Sequence, residues 1–186
     1  MPLPEIHVAR EALHQRQILC RGFRREDGLW DIEGRMLDTK EYAFDSSWRG
    51  RMEPGAPVHD MWARLTLDDR MEVRELVVSS DHHPFPNCAE IESAYGTLVG
   101  TRLEPGWTRL VRERLGGVSG CTHITRLIQE LAVVAVQTIF PVRARETGGD
   151  RGPGDRKPGH LDGCHALATD GPVVRELYPR WYRGRE

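Results

Sequence analysis

Residues 17–37 read QILCRGFRREDGLWDIEGRML, two strand-forming runs around Glu26-Asp27-Gly28. An Asp-Gly pair between such runs is a strong short-range hairpin signal, because glycine takes the positive φ that a tight turn needs. Gln17–Arg25 and Leu29–Leu37 are therefore expected to pair as antiparallel strands. A second hairpin follows. Ala63, Leu65 and Leu67 alternate with Trp62, Arg64 and Thr66 along Met61–Leu67, a turn is expected at Asp68-Asp69-Arg70, and Met71–Val78 forms the return strand.

Downstream the apolar period changes from two to 3.6. Asn87 and Glu90 have capping-box spacing, and Ile91, Ala94, Tyr95, Leu98 and Val99 form a helical stripe that ends at Gly100. A shorter helix is expected over Pro105–Leu115, with Trp107, Leu110 and Val111 inward and Gly116-Gly117 closing it. The longest, about Cys121–Phe140, carries Ile124, Leu127, Ile128, Leu131 and Ala135 on one face. Strands first and helices afterwards imply an α+β fold: an antiparallel sheet of roughly four to six strands with three helices packed on one face.

One α+β domain is expected over residues 1–143 of the 186. Residues 144–163 hold six Gly and two Pro without apolar periodicity and read as a flexible connection. Residues 164–186 are apolar again and are expected to dock back on the domain. With 39% hydrophobic residues a core can form, and a net charge of −2 argues against a dedicated nucleic-acid binder. Only Lys40 and Lys157 among the 26 basic residues are lysines, and acids are interleaved with the arginines throughout. No apolar run approaches the roughly 18–20 residues of a membrane span, and the N-terminal stretch lacks a secretory apolar core. A cytoplasmic protein without a membrane partner is expected, and chains of this size often pair as C₂ homodimers.

Four separated cysteines, Cys20, Cys88, Cys121 and Cys164, form no CxxC pair. Cys88 follows the expected cap Asn87, and Cys121 starts the longest helix. Unpaired N–H groups and the helix dipole favour a thiolate at such positions, the form that ligates metal or attacks carbon. The plain alternative is that both are small buried hydrophobes. His123 lies two residues beyond Cys121, so joint ligation of one ion requires the helix to begin after Cys121. His59-Asp60 precedes a strand in a loop shaped by Pro54, Gly55 and Pro57. Such a pair suits proton transfer, although adjacent strand side chains diverge. Asp81-His82-His83 before Pro84 reads as a polar loop.

Four blocks, CRGFRREDGLWDIEGRMLDTK (20–40), GAPVHDMWARLTLDD (55–69), GWTRLVRERLGGVSGCTHI (106–124) and CHALATDGPVVRELYPRWY (164–182), resemble an uncharacterised bacterial family, domain of unknown function 2889. That resemblance implies little chemistry beyond an association with bacteria that degrade aromatic or steroid compounds. From Pro57 to Phe140 the order of loop, two strands, Cys, Gly-ended helix, then Cys at a last helix is similar to the NifU/IscU/SufU iron–sulfur scaffold family, with an added N-terminal hairpin. Aligning Leu65-Thr66-Leu67-Asp68-Asp69 on that family's second strand puts Cys88 and Cys121 on two of its cysteines and His59 on its aspartate. Pro57 falls on its remaining cysteine, and a proline neither binds metal nor accepts sulfur.

Cys88, Cys121 and His59 together make a Cys₂His set with one position open, the pattern of catalytic zinc, with zinc expected before iron. Asp60, His123 and His59 are the expected proton-moving groups, and without a metal they and Cys121 would carry acid–base work alone. The expected function is a small enzyme, a lyase before a hydrolase, acting on an organic small-molecule substrate, aromatic compounds included. The alternative is a non-catalytic metal or iron–sulfur scaffold, and a third reading is a plain interaction module.

Overall fold

The computed structural model describes residues 3–146 and 157–184. Two compact units divide the chain, Met1–Ile139 and Phe140–Glu186. The first is an α+β unit built on a four-stranded antiparallel sheet in the order β1-β2-β5-β6, where β1 is His14–Arg24, β2 Trp30–Lys40, β5 Pro57–Leu67 and β6 Val73–His82. A two-stranded ribbon, β3 (Phe44–Ser46) with β4 (Gly50–Met52), is inserted between β2 and β5.

Both expected hairpins form, with strands that run further away from the turns than their sequence limits. The first closes with Arg25 N donating to Leu29 O at 2.8 Å, and Gly28 takes φ 85° as the Asp-Gly signal requires. In the second, Asp68 Oδ1 accepts from Arg70 N at 2.8 Å and Glu72 N at 2.9 Å, so a side chain satisfies donors that the ladder leaves open.

Period-two alternation then decides the layers. Trp30, Ile32 and Met36 of β2 and Met61, Ala63, Leu65 and Leu67 of β5 are buried on one face. α2, Thr122–Glu146, crosses that face with Ile124, Leu127, Ile128, Leu131, Ala135 and Ile139 all fully buried. At roughly 1.5–3 kcal/mol for each fully buried aliphatic side chain, this stripe is the main adhesive between helix and sheet. Its close approach needs Gly22 and Gly34: a Cβ on Gly34 would come within 2.7 Å of Leu131 Cδ2, and one on Gly22 within 2.1 Å of Thr138 Oγ1. By length and composition alone α2 is long and apolar enough to cross a membrane, contrary to the expectation that no apolar run approaches that length. In this fold its apolar stripe instead faces the sheet.

Residues 86–98 depart from the expected α-helix. Pro86–Leu98 winds as consecutive 3₁₀ turns, with Phe85 rather than Asn87 at the N-cap and no side-chain cap bond. Of the stripe only Tyr95 and Leu98 are buried, three residues apart as three residues per turn require, and Val99 is left exposed. α1 follows the expected helix closely, over Trp107–Leu115 with Trp107, Val111 and Leu115 buried.

The expected domain end at 143 falls inside α2, which runs to Glu146 through Pro141. Half of the expected connection, residues 147–156, lies outside the described residues. The second unit includes α3, Pro172–Leu177, and buries Val174 and Leu161. There Asp162 Oδ1 accepts from Thr169 N at 2.8 Å.

Gly22→Ala should cost about 1–3 kcal/mol in chemical denaturation, the ordinary penalty for overpacking, because Thr138 Cβ itself would stand 2.8 Å from the new methyl and no rotamer removes it. Gly96→Ala, where a Cβ meets nothing within 4 Å, is the control and should stay near wild type. Equal stability of the two variants would mean that α2 does not hold this position on β1.

Candidate functional site

Asp38 sits on β2 in phase with Trp30, Ile32 and Met36, so the pleat turns its carboxylate toward the helix layer, where it is only 2% exposed. Antiparallel pairing places Arg16 of β1 beside it on one side and His59 of β5 on the other. The guanidinium donates twice, Nε to Oδ1 and Nη2 to Oδ2, each at 2.7 Å. His14 Nε2 lies 3.2 Å from Oδ1. From above, the first turn of α2 lowers His123 until its Nε2 is 3.7 Å from Oδ2, while His59 Nδ1 is 3.2 Å from the same oxygen. The two imidazoles stack with centroids 3.8 Å apart and planes inclined by 27°.

This arrangement has more nitrogen than carboxylate. An ionised carboxylate offers about four acceptor sites, two per oxygen. Arg16 takes one on each oxygen and His14 faces the second on Oδ1, leaving one site on Oδ2 for two imidazole nitrogens. His59 Nδ1 accordingly is buried without an aligned hydrogen bond despite its short distance. The ligand atoms of Asp38, His59 and His123 all lie within 4.8 Å of one another.

The electrostatics follow from the same packing. Burial tends to raise the Asp38 pKa, but the bonds and charge of Arg16, helped by the imidazoles, outweigh it and hold the carboxyl below its ordinary range. Burial, then the neighbouring charge of His123, pushes His59 from 6.5 down to about 4. Burial and Arg16 likewise lower His123. Unprotonated imidazole, the form with a lone pair to give, is therefore favoured at neutral pH.

The residues singled out in the sequence divide around this cluster. His59 and His123 belong to it. Cys121 borders it: α2 begins one residue later, at Thr122, and Cys121 Sγ lies 3.9 Å from His123 Nδ1, the ring nitrogen turned away from Asp38. Cys88 is half-buried in the 3₁₀ segment, outside the one group of three that forms among the described residues. Asp60 faces the other side of the sheet, where Arg35 clamps it through Nε at 2.7 Å and Nη2 at 2.6 Å. That separation is the strand divergence expected of adjacent residues. Asp38 and Arg16 were not anticipated, although Asp38 shares the inward parity of Trp30, Ile32 and Met36, which is a legible signal.

A family model described as protein of unknown function (DUF2889) matches residues 14–137. The chain belongs to the DUF2889 family. The DUF2889 span contains His14, Arg16, Asp38, His59, Cys121 and His123, so the whole cluster is built inside it. No curated protein and no solved structure matches the chain, so the similarity to the iron–sulfur scaffold family has no counterpart among them.

In chelator-treated protein, acidification should weaken folding between pH 6.5 and 4. The unfolded chain protonates the His59 imidazole as pH falls through about 6.5, whereas the folded chain resists until about 4, so stability declines across that window, by up to roughly 3 kcal/mol at its lower end. His59→Gln should flatten the corresponding dependence of Tm on pH; an unchanged slope would mean that His59 is not buried beside Asp38.

Proposed function

We propose that this chain is a small metal-dependent enzyme acting on an organic substrate, with Asp38, His59 and His123 as the ligands. The observation that carries the reading is the convergence of two stacked imidazoles on a single remaining acceptor site of a buried carboxylate. A shared cation relieves that conflict, because it turns two competing nitrogens into co-ligands of the oxygen they face. Donors bound at roughly 2.0–2.2 Å to one ion stand about 3–4 Å from each other, and the spacings of 3.2 and 3.7 Å suit this. Imidazole with carboxylate fits zinc or iron, and hard magnesium or calcium would want an all-oxygen cage.

Three protein ligands leave positions for substrate, where such an ion polarises a carbonyl or carboxylate. Arg16 supports the set by locking the Asp38 rotamer, as outer groups do for a ligating carboxylate. His14, half exposed at the rim and 3.2 Å from Oδ1, is placed to move a proton to or from a bound molecule. Polarisation with proton movement is what breaking a bond by elimination requires, and on that basis a lyase is the reaction class we favour. A second reading, acid–base work by the same imidazoles without metal, is favoured by one observation: the Arg16 guanidinium adds positive charge beside the place a divalent ion would take.

Metal analysis of untagged protein tests both. Close to one equivalent of zinc or iron is expected, with His59→Ala and His123→Ala each losing most of it and Cys88→Ser/Cys121→Ser keeping it. Loss confined to the cysteine variant would move the site to the thiolate set of Cys88, Cys121 and His59. A metal-free wild type would leave the acid–base reading in its place.

A further inference from the structure

Beyond the cluster, Trp48, Arg49, Asp81, His82, His83 and Phe85 line a groove of about 260 Å³ where the link between β3 and β4 meets the end of β6. Several arginines of the sheet are neutralised by carboxylates: Arg16 by Asp38, Arg35 by Asp60, Arg64 by Glu75 and Arg74 by Asp68 and Glu72. Arg49 is held differently. Its Nη1 donates to the carbonyls of Pro57 at 2.7 Å and Val58 at 3.4 Å, and its own backbone N–H bonds Ser46 Oγ. Carbonyls fix a guanidinium in place without cancelling its charge. Among the described residues no carboxylate lies within ion-pair distance of it, so a half-buried cation with unused donors faces the groove walls.

Those walls are aromatic. Trp48 is 65% exposed and Phe85 54%, an unusual outlay of large apolar surface beside a charge. A flat apolar body covers such rings, and one carboxylate meets the guanidinium bidentately. The single negative charge of Asp81 in the same groove disfavours a second anionic group on the ligand.

We infer that this groove binds a flat aromatic monocarboxylate. That this ligand is the substrate of the metal centre rests on the reading above; the carbonyls anchoring Arg49 belong to the two residues that precede His59 on β5.

Benzoate is the probe, titrated into the full-length protein and followed by the Trp48 indole N–H signal in heteronuclear NMR. A saturable shift is expected. Binding should weaken at least tenfold for benzamide, which lacks the charge, for phthalate, which carries two, and for Arg49→Gln protein. Trp48→Ala, at an exposed position that folding does not need, should also weaken binding at least tenfold, now read by isothermal titration. No saturable response, or equal affinity for benzoate and benzamide, overturns the proposal. Metal analysis of the same wild-type protein separates the two readings. Retained benzoate binding with a metal-free wild type leaves the groove standing and removes only the metal centre. Absent binding in a metal-loaded wild type removes the groove and leaves the centre.

Discussion

An ionised carboxylate as buried as Asp38 persists only where opposite charge and hydrogen-bond donors replace the water it has lost. Arg16 supplies both from the neighbouring strand, and this requirement fixes more than one side chain. Sliding β1 by one residue against β2 would turn Arg16 to the far face and leave the carboxylate without its clamp, while a slip of β5 would remove His59 in the same way. The apolar alternation that buries Ile32, Met36, Met61 and Leu65 demands the same registers. Polar and apolar constraints therefore agree on one alignment of the three strands.

A mirror of this arrangement lies on the opposite face of the sheet, where Arg35 of β2 clamps Asp60 of β5 with the same fork geometry. The guanidinium of Arg35 also lies over the Trp62 ring, 4.9 Å from its centroid. His59 and Asp60 thus anchor two different networks although they adjoin in the chain. One is surrounded by nitrogen donors it cannot all satisfy. The other is a bidentate ion pair, partly open to solvent through its arginine, whose work is to hold strands together.

Hairpin signals and periodicity were legible wherever the chemistry is local. Gly28 announces the first turn, the alternation through Leu65 and Leu67 announces β5, and the stripe from Ile124 to Ala135 announces α2. Residues 86–98 misled because a capping-box spacing cannot show that Pro84, Phe85 and Pro86 set the start of the segment, nor that burial would select Tyr95 and Leu98 alone. At the site, histidines stood out by residue type. Asp38 did not, because Met36-Leu37-Asp38-Thr39-Lys40 resembles any strand fading into a loop. Its partners lie at sequence distances of 22 and 24 residues, beyond any local pattern. Cysteines at helix starts drew the reading toward thiolates, yet what a helix start delivers here is the imidazole two residues further on.

That imidazole depends in turn on the segment that the sequence disguised. Cys121 N donates to Tyr95 Oη at 2.8 Å, Tyr95 Oη donates to Cys121 O at 3.0 Å, and Thr125 Oγ1 lies 2.9 Å from the same phenol. One buried hydroxyl thereby satisfies backbone groups at the start of α2 and ties the helix to the 3₁₀ turns that pack along β6. The long apolar stripe fixes α2 across the sheet, but apolar contacts tolerate sliding along the helix axis. Directional bonds from Tyr95 resist it. The height at which His123 meets Asp38 is therefore set by the tyrosine at one end and by the close approach at Gly22 and Gly34 along the helix. A site assembled from two strands and a helix start gains its geometry from these two restraints acting together.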